Sequence, residues 1–352
     1  MLTRRLQAVG NAQDVDITLA RQGGRHRLGK HLVIVDDKQS VHAPPKKGMS
    51  LQRRETWWGL AFLSPWLFGL VVFTALPILA SLVLSFTNFN LNHPGDTRFI
   101  GLDNYGRMWS ELLNNGNAGR SLGVTAQFAI MSVPLMICLA LGLALLLNQK
   151  LLLGKPVFRT LFFMPVMVPL VASTIVWQGY LNGSSGWLAQ ILRTFGLPSP
   201  DWFSDPSWAL PGLVFLGTWG VGNMMLIFLA GLQGIPTELY EAVKIDGGGA
   251  WARFRNVTLP MLSPVLFYNI LISIIGVSQY FTQAYVLDPG GTGNPGGSTF
   301  FFNLNLYKEG WSYNQMGYAS ALAWLMMAIV VTAALVLFRT SARWVFYAGG
   351  DR

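Results

Sequence analysis

The residues that could do chemistry fall into two groups, one charged segment and a set of uncharged polar side chains inside apolar stretches. The charged segment, Ile235 to Pro264, is the most charged interruption in the apolar second half of the chain. Its ionisable members include Glu238, Glu241, Asp246, Arg253 and Arg255. Charged groups of this kind can form salt bridges and hydrogen bonds at a surface.

Patterns for catalysis and metal binding are absent from the sequence. There is no GxxxxGK[ST], HExxH or nucleophile elbow, and no apolar stretch carries a pair of carboxylates. The four histidines lie outside the apolar stretches, and the one cysteine, Cys138, cannot form an intrachain disulfide. We therefore predict that the chain is not an enzyme, binds no metal or cofactor and does not hydrolyse ATP, so a partner must supply energy.

The charged segment predicts two short helices joined by a glycine turn. Pro236 suits a first helical turn, and Leu239, Ala242, Val243 and Ile245 give one apolar face. The sequence Asp246-Gly247-Gly248-Gly249 then ends the helix, because glycine adopts left-handed conformations at low cost. A second short helix, Ala250 to Val257, is expected to close at Leu259-Pro260 and Ser263-Pro264.

The composition around this segment is that of a membrane protein. Of 352 residues 52% are hydrophobic and 12% are charged, whereas soluble domains carry about 25% charged residues. Six charge-free stretches each hold about 20 apolar residues, enough to cross a bilayer. They are Trp57 to Asn88, Ser121 to Gln149, Thr160 to Leu192, Pro206 to Thr237, Asn256 to Leu287 and Gly310 to Phe338. We predict an all-α polytopic membrane protein with six transmembrane helices in residues 57–345.

The distribution of positive charge predicts the orientation. Residues 1–56 carry eleven Lys or Arg against five acids and form a basic, disordered tail. If this tail is cytoplasmic, twenty of the 25 Lys and Arg lie on that side, as positive charge in short flanking loops requires. Both termini, including residues 346–352, and the segment 235–264 would then be cytoplasmic. The net charge of +9 is explained by this placement of Lys and Arg on one side of the membrane, so we predict no nucleic-acid partner.

The segment around Glu241 also resembles a known family motif. Glu241-Ala242-Val243, Gly247, Val257 and Leu259-Pro260 match in spacing the EAA loop of ABC importer permeases, with valine in place of one alanine and of one isoleucine. The resemblance implies that the segment is a coupling helix docking on an ATP-hydrolysing subunit. Glu238, Glu241 and Asp246 would then supply charge at the docking surface, Gly247 the turn, and Arg253 and Arg255 salt bridges.

Three further segments resemble sugar importer permeases. They are Phe99 to Tyr105, Phe158 to Pro165, and the loop 289–309 with Pro289-Gly290-Gly291. The chain thus resembles a carbohydrate-type ABC importer permease of the maltose and glycerol-3-phosphate uptake class, with the type I importer fold, in a bacterial inner membrane. The resemblance implies these partners, in addition to membrane lipid: a second permease, two cytoplasmic subunits that bind ATP and Mg²⁺, an external solute-binding protein and a sugar-like solute.

A path for a sugar needs hydrogen-bonding groups and aromatic faces in the spans, without fixed charge. The candidates lie in the fourth and fifth stretches and are Trp219, Asn223, Asn269, Gln279, Tyr280, Gln283 and Tyr285. Gln279 and Gln283, four residues apart, are expected to share one helical face. Each of these groups could instead form hydrogen bonds between helices.

Other functions stay open at this stage. A secondary transporter or channel would need ionisable groups in the spans, which the charge-free stretches lack. A permease for another solute, such as an amino acid or a phosphate ester, is the nearer alternative. A phosphate would favour Arg or Lys near the path, and only a partner chain could supply them.

Overall fold

The computed structural model describes residues 51–346, in which residues 51–65 belong to one compact unit and residues 66–346 to a second. Within the described residues the fold is helical, with one isolated antiparallel bridge between Thr87 and Phe99. The helices are α1 (Leu51–Leu70), α2 (Leu76–Ser85), α3 (Asp103–Leu113), α4 (Asn117–Asn148), α5 (Lys155–Phe163), α6 (Leu170–Tyr180), α7 (Trp187–Thr194), α8 (Pro206–Thr218), α9 (Gly222–Gln233), α10 (Thr237–Ile245), α11 (Ala250–Arg253), α12 (Leu259–Ser278), α13 (Thr282–Leu287), α14 (Phe302–Tyr307) and α15 (Met316–Trp344).

Four helical segments are long and apolar enough to cross a membrane: Glu55–Ser85, Asn117–Asn148, Ala250–Leu287 and Met316–Trp344. Two bent pairs, α5 with α6 and α8 with α9, bring the number to six if each pair is one span. The all-helical, multi-span fold predicted from the sequence is therefore confirmed. A helix also begins within the loop predicted at 289–309, where α14 starts at Phe302.

The prediction that the third span is one continuous helix is wrong. The stretch Thr160 to Leu192 bends by 102° between Met167 and Leu170, and α7 is a separate short helix. Val168 is extended, with φ −79° and ψ 130°, because the ring of Pro169 excludes the helical region for the residue before it. Chain composition predicted the length of this stretch but not the break.

The boundaries at both ends also differ from the prediction. Helix α1 begins at Leu51, so the last six residues of the predicted tail 1–56 are helical. The rest of the tail and residues 347–352 lie outside the described residues. Helix α15 continues six residues past Phe338, to Trp344. Phe346 N then donates to Ser263 Oγ at 2.8 Å, which attaches this end of the chain to α12.

Helix α4 is central to the packing of the second unit. Near its carboxyl end Ala140, Ala144 and Leu147 are buried against α9, in a cluster that also contains Phe228. Near its amino end the hydroxyl of Thr125 accepts a hydrogen bond from Phe302 N at 2.9 Å. Because one helix contacts elements from both halves of the sequence, it fixes the two ends of the fold relative to each other.

Helix α9 begins at a glycine that closely approaches α5. A Cβ on Gly222 would overlap the carbonyl oxygen of Phe162 and lie 2.9 Å from Cα of Phe163. We expect Gly222→Ala to lower the free energy of unfolding by about 1–3 kcal/mol, because backbone atoms must move to admit the methyl group. Gly123→Ala in α4 is the control, since a Cβ there meets nothing within 4 Å. Denaturation of both variants in detergent checks this, and equal stability would contradict it.

Candidate functional site

The charged segment 235–264, called the coupling segment below after its predicted role, begins with α10 and ends that helix in a Schellman motif. Gly248 N donates to Val243 O at 2.8 Å, and Gly247 N donates to Lys244 O at 3.1 Å. Gly247 has φ +78°, a conformation that L-residues with a Cβ rarely adopt. The glycine turn predicted after Asp246 is therefore confirmed, and these two hydrogen bonds define its geometry.

The second helix of the segment does not close as predicted. After α11, residues Phe254–Thr258 form one π-helical turn that leads directly into α12 at Leu259. Pro260 is the second residue of α12, directly after the π turn, and Pro264 lies inside the helix. The part of the segment from Ala250 onward is therefore continuous with a helical segment that is long and apolar enough to cross a membrane.

Helix α10 rests on this continuous helix through its inner face. Tyr240 Oη lies 3.1 Å from Thr258 Oγ1, and Tyr240 and Val243 pack on the apolar cluster that contains buried Val257. The prediction of a single apolar face including Leu239, Ala242 and Ile245 is wrong. Those three side chains are exposed, because the inner face at i and i+3 is taken by Tyr240 and Val243.

The outer surface of the segment is accessible and mixed in character. Glu238, Glu241, Ala242 and Asp246 are exposed, as are Arg255 and Leu259. Ile245 is 86% exposed and Trp251, which stacks on Phe254, is 70% exposed. Exposure of Ile245 and Trp251 was not predicted from the sequence. Their signal is that each is a large apolar side chain close to the glycine turn. An exposed apolar patch bordered by acids is typical of a protein-binding surface.

The two arginines of the segment lie in different surroundings. Arg255 is exposed, whereas Arg253 is partly buried and lines a cavity of about 410 Å³ beneath α10. The Nε atom of Arg253 is buried without a hydrogen-bond partner among the described residues. Pro260 is half-buried at the start of α12.

The predicted path residues are distributed over three cavities. Trp219 lines one of about 530 Å³, in edge contact with Trp177 at 5.9 Å between ring centroids. Gln279 lines one of about 280 Å³ together with Ser278 and Asn303. Tyr280 lines one of about 240 Å³ together with Ser273, and its ring packs on Phe128. None of the residues lining these three cavities carries a charge.

The remaining path candidates have other surroundings. Asn269 is buried and donates to Val265 O of its own helix at 2.9 Å. Asn223 is exposed in the first turn of α9. Tyr285 contacts the rings of Phe281 and Tyr307. The expectation that Gln279 and Gln283 share a helical face is wrong, because α12 ends at Ser278 and the non-helical residues 279–281 separate it from α13.

An ion-pair network that the sequence analysis missed joins α3 to the chain between α14 and α15. Arg107 lies 3.0 Å from Glu111 and 3.3 Å from Glu309, and its Nη1 donates to Gln315 Oε1 at 2.6 Å. Its guanidinium also lies 3.7 Å from the ring centroid of Tyr318. The signal was that Glu309 is the sole acid in residues 289–345.

The network has a defined electrostatic asymmetry. Burial raises the pKa of the Glu309 carboxyl above its usual range, and the nearby guanidinium of Arg107 only partly opposes this shift. Burial alone would lower the pKa of Arg107, but attraction to Glu309 and the hydrogen bond to Glu111 outweigh burial and raise it. Arg107 therefore stabilises the ionised form of the buried Glu309 carboxyl.

Comparison with known proteins agrees with this architecture. The chain is 38% identical to the "Probable ABC transporter permease protein YesP" of Bacillus subtilis (strain 168), over 86% of this chain and 96% of that protein. It is 31% identical to the "Arabinooligosaccharides transport system permease protein AraP" of the same organism, over 80% of this chain and 87% of that protein.

A solved structure shows the same fold at low sequence identity. A chain of a bacterial alginate ABC transporter in complex with an alginate pentasaccharide-bound periplasmic protein superposes with a TM-score of 0.71 and 18% identity, over 83% of this chain and 96% of that one. Residues 128–347 match the family described as "Binding-protein-dependent transport system inner membrane component". The chain therefore belongs to this family of inner membrane transport components.

Proposed function

We propose that this chain is one permease subunit of an ATP-driven importer for a sugar-like solute. It lines the translocation path together with a second, homologous permease. Two cytoplasmic subunits bind ATP and Mg²⁺ and drive transport, and an external solute-binding protein delivers the solute. Both termini and the coupling segment lie on the cytoplasmic side, as the distribution of positive charge favours.

The observation that carries the proposal is that the coupling segment has an exposed outer surface and an inner surface packed on a span. Its outer surface presents Glu238, Glu241 and Ile245 to solvent, while Tyr240 and Val243 attach its inner surface to a span. Because α10 packs through Tyr240 and Val243 on the helix that continues from α11 into α12, force applied by a docked subunit would reach that span through these contacts. A docking surface of mixed charge and apolar area suits a protein partner.

The chemistry of the cavities supports an uncharged, hydroxyl-rich solute. Trp219, Tyr280 and Gln279 offer aromatic faces and an amide, and no lining residue of the three cavities is charged. The name of the relative AraP specifies arabinooligosaccharides, which are solutes of this kind. An amino acid or a phosphate ester would require charged partners, which only the second permease could supply in this arrangement.

Affinity purification of the assembled transporter in mild detergent tests the assembly. We expect one copy each of this chain and a second permease with two copies of an ATPase. Glu241→Lys should weaken retention of the ATPase about tenfold, equivalent to about 1.4 kcal/mol, because it reverses a charge on the docking surface. Asp96→Lys is the control, since Asp96 is exposed outside the segment and the charge change is the same.

Two results would contradict the proposal. If the chain is purified alone from an intact membrane extract, then the proposed partners are contradicted. If the Glu241→Lys variant retains the ATPase as well as the wild type does, then Glu241 has no role in docking. The solute-binding protein recovered with the complex then identifies the solute class by titration with neutral oligosaccharides, amino acids and sugar phosphates.

A further inference from the structure

The cavity beneath the coupling segment has no role in the function proposed above. Its volume of about 410 Å³ lies in the range of ligand sites, about 300–1,000 Å³. The walls come from the carboxyl end of α4 at Asn148, from α9 at Leu232, from α10 at Tyr240, and from Arg253. An occupant would therefore contact both the spans and the coupling segment.

The cavity contains one cation that lacks an anionic partner. Arg253 is the one charged residue in its lining, and its Nε–H is buried without an acceptor among residues 55–346, whose side chains the structure describes. Both ion pairs found among those residues involve Arg107, not Arg253. The nearby acids Glu238, Glu241 and Asp246 are exposed and do not line the cavity. A guanidinium keeps its charge in proteins, so this N–H group calls for an anionic acceptor.

The rest of the lining defines the kind of anion. The side-chain amides of Asn148 and Gln149 add N–H donors near the guanidinium, and an arginine fork matches two oxygens of a phosphate. Leu145, Leu232 and Phe254 make the remaining wall apolar. One side of the cavity thus suits a phosphate and the other a hydrocarbon group.

The position of the cavity agrees with this chemistry. It lies where two candidate spans, Asn117–Asn148 and Ala250–Leu287, have their ends. The ends of spans lie at the level of lipid headgroups, and basic pockets between helices on the cytoplasmic side bind anionic headgroups.

We propose that Arg253, Asn148 and Gln149 form a binding site for a phosphate group, carried by an anionic phospholipid headgroup or by a small soluble phosphate. The bound anion satisfies the Arg253 guanidinium and joins the end of α4 to α10 and α11. Because it binds the folded arrangement only, it stabilises the position of the coupling segment by mass action. The site is thus a place where membrane composition or phosphate concentration acts on coupling.

The test uses the assembled transporter in phosphatidylcholine nanodiscs with two separate probes. Inorganic phosphate is added in the first arm, and binding is measured as a rise in the unfolding midpoint. Phosphatidylglycerol is included in the disc in the second arm, and native mass spectrometry counts the retained lipid. We expect Arg253→Gln to weaken binding of the active probe about tenfold, which corresponds to about 1.4 kcal/mol.

Two further variants make the result specific. Arg339→Gln is the matched control, because it removes the same charge from an exposed position outside both the cavity and the docking surface. It should bind like the wild type. Gln149→Leu removes one donor from the lining and should weaken binding a few-fold, which keeps the test valid if Arg253→Gln fails to assemble.

Each outcome decides the proposal. Binding of phosphatidylglycerol alone that depends on Arg253 identifies a lipid headgroup, and binding of inorganic phosphate identifies a soluble phosphate. Failure of both probes, or equal binding by wild type and Arg253→Gln, overturns the site. Neither readout depends on solute transport, so the proposed sugar import could fail while this site stands.

Discussion

Replacing Arg107 by methionine is expected to lower the free energy of unfolding by about 3–5 kcal/mol. The Glu309 side chain is 2% exposed, so without the guanidinium 3.3 Å away its ionised form would be buried unpaired and its pKa would rise further. The variant would also lose the hydrogen bond to Gln315 and the contact with the ring of Tyr318. Denaturation of the purified chain in detergent measures the loss. Arg98→Met, at an exposed position, should change stability by less than about 0.5 kcal/mol.

The second partner provides a decisive check. The double variant Arg107→Met with Glu309→Leu should recover most of the stability, because it buries no unpaired charge. If the double variant is as unstable as the single one, then packing and not charge accounts for the loss.

Acidity should act on the single variant in a defined direction. The pKa of Glu309 is already raised by burial in the wild type, and loss of Arg107 removes the charge that opposes this shift. A carboxyl with a raised folded-state pKa stabilises the fold below the unfolded pKa and loses that contribution as the pH rises through the folded value. The deficit of Arg107→Met should therefore shrink as the pH falls towards 4.5, the usual value for this carboxyl.

Replacing Gly247 by valine is expected to uncouple ATP hydrolysis from uptake in the assembled transporter. At φ +78° a β-branched residue is strained by about 1–2 kcal/mol or more. Such a cost lowers the population of the native turn about 5- to 30-fold relative to its competitors. Uptake of labelled solute should fall by a similar factor while ATP hydrolysis continues. Both rates are measured on the same proteoliposomes.

Two variants separate backbone strain from loss of fold. Gly247→Asn should retain most uptake, because asparagine tolerates the left-handed conformation. Gly249→Ser should retain full uptake, since Gly249 has φ −74° at the start of α11 and serine is a favourable N-cap residue. A Cβ at either glycine meets nothing within 4 Å, so steric overlap does not complicate the comparison. If uptake by the Gly247→Val variant is unchanged, then the glycine turn has no role in coupling.

Local sequence was sufficient to predict the coupling turn but not the continuation of its second helix. Three glycines after Asp246 specify a helix end by backbone conformation alone. Pro260, in contrast, can stop a helix or occupy its first turn, and the choice depends on the π turn formed by Phe254–Thr258. The packing of Val257 against α4 and α9 settles that choice, and packing is not encoded within a short window.

The candidate path shows the same limit. Polar residue types in an apolar stretch indicated Gln279 and Tyr280, and both line cavities. Their spacing predicted a shared face only on the assumption of a continuous helix, which the break at 279–281 removes. The Arg107–Glu309 pair is separated by 202 residues, so no local pattern could join its two members.

The hydrogen bond from Phe302 N to Thr125 Oγ1 has a consequence for the order of assembly during synthesis. Chains emerge from the ribosome with the amino terminus first. Helix α4 and Arg107 must therefore wait for about half of the chain to be made before Phe302 and Glu309 arrive. A nascent chain that stalls before residue 302 leaves the Thr125 hydroxyl without Phe302 N, and leaves Arg107 paired with Glu111 but not with Glu309. The contacts that join α3 and α4 to Phe302 and Glu309 can therefore form only late in synthesis.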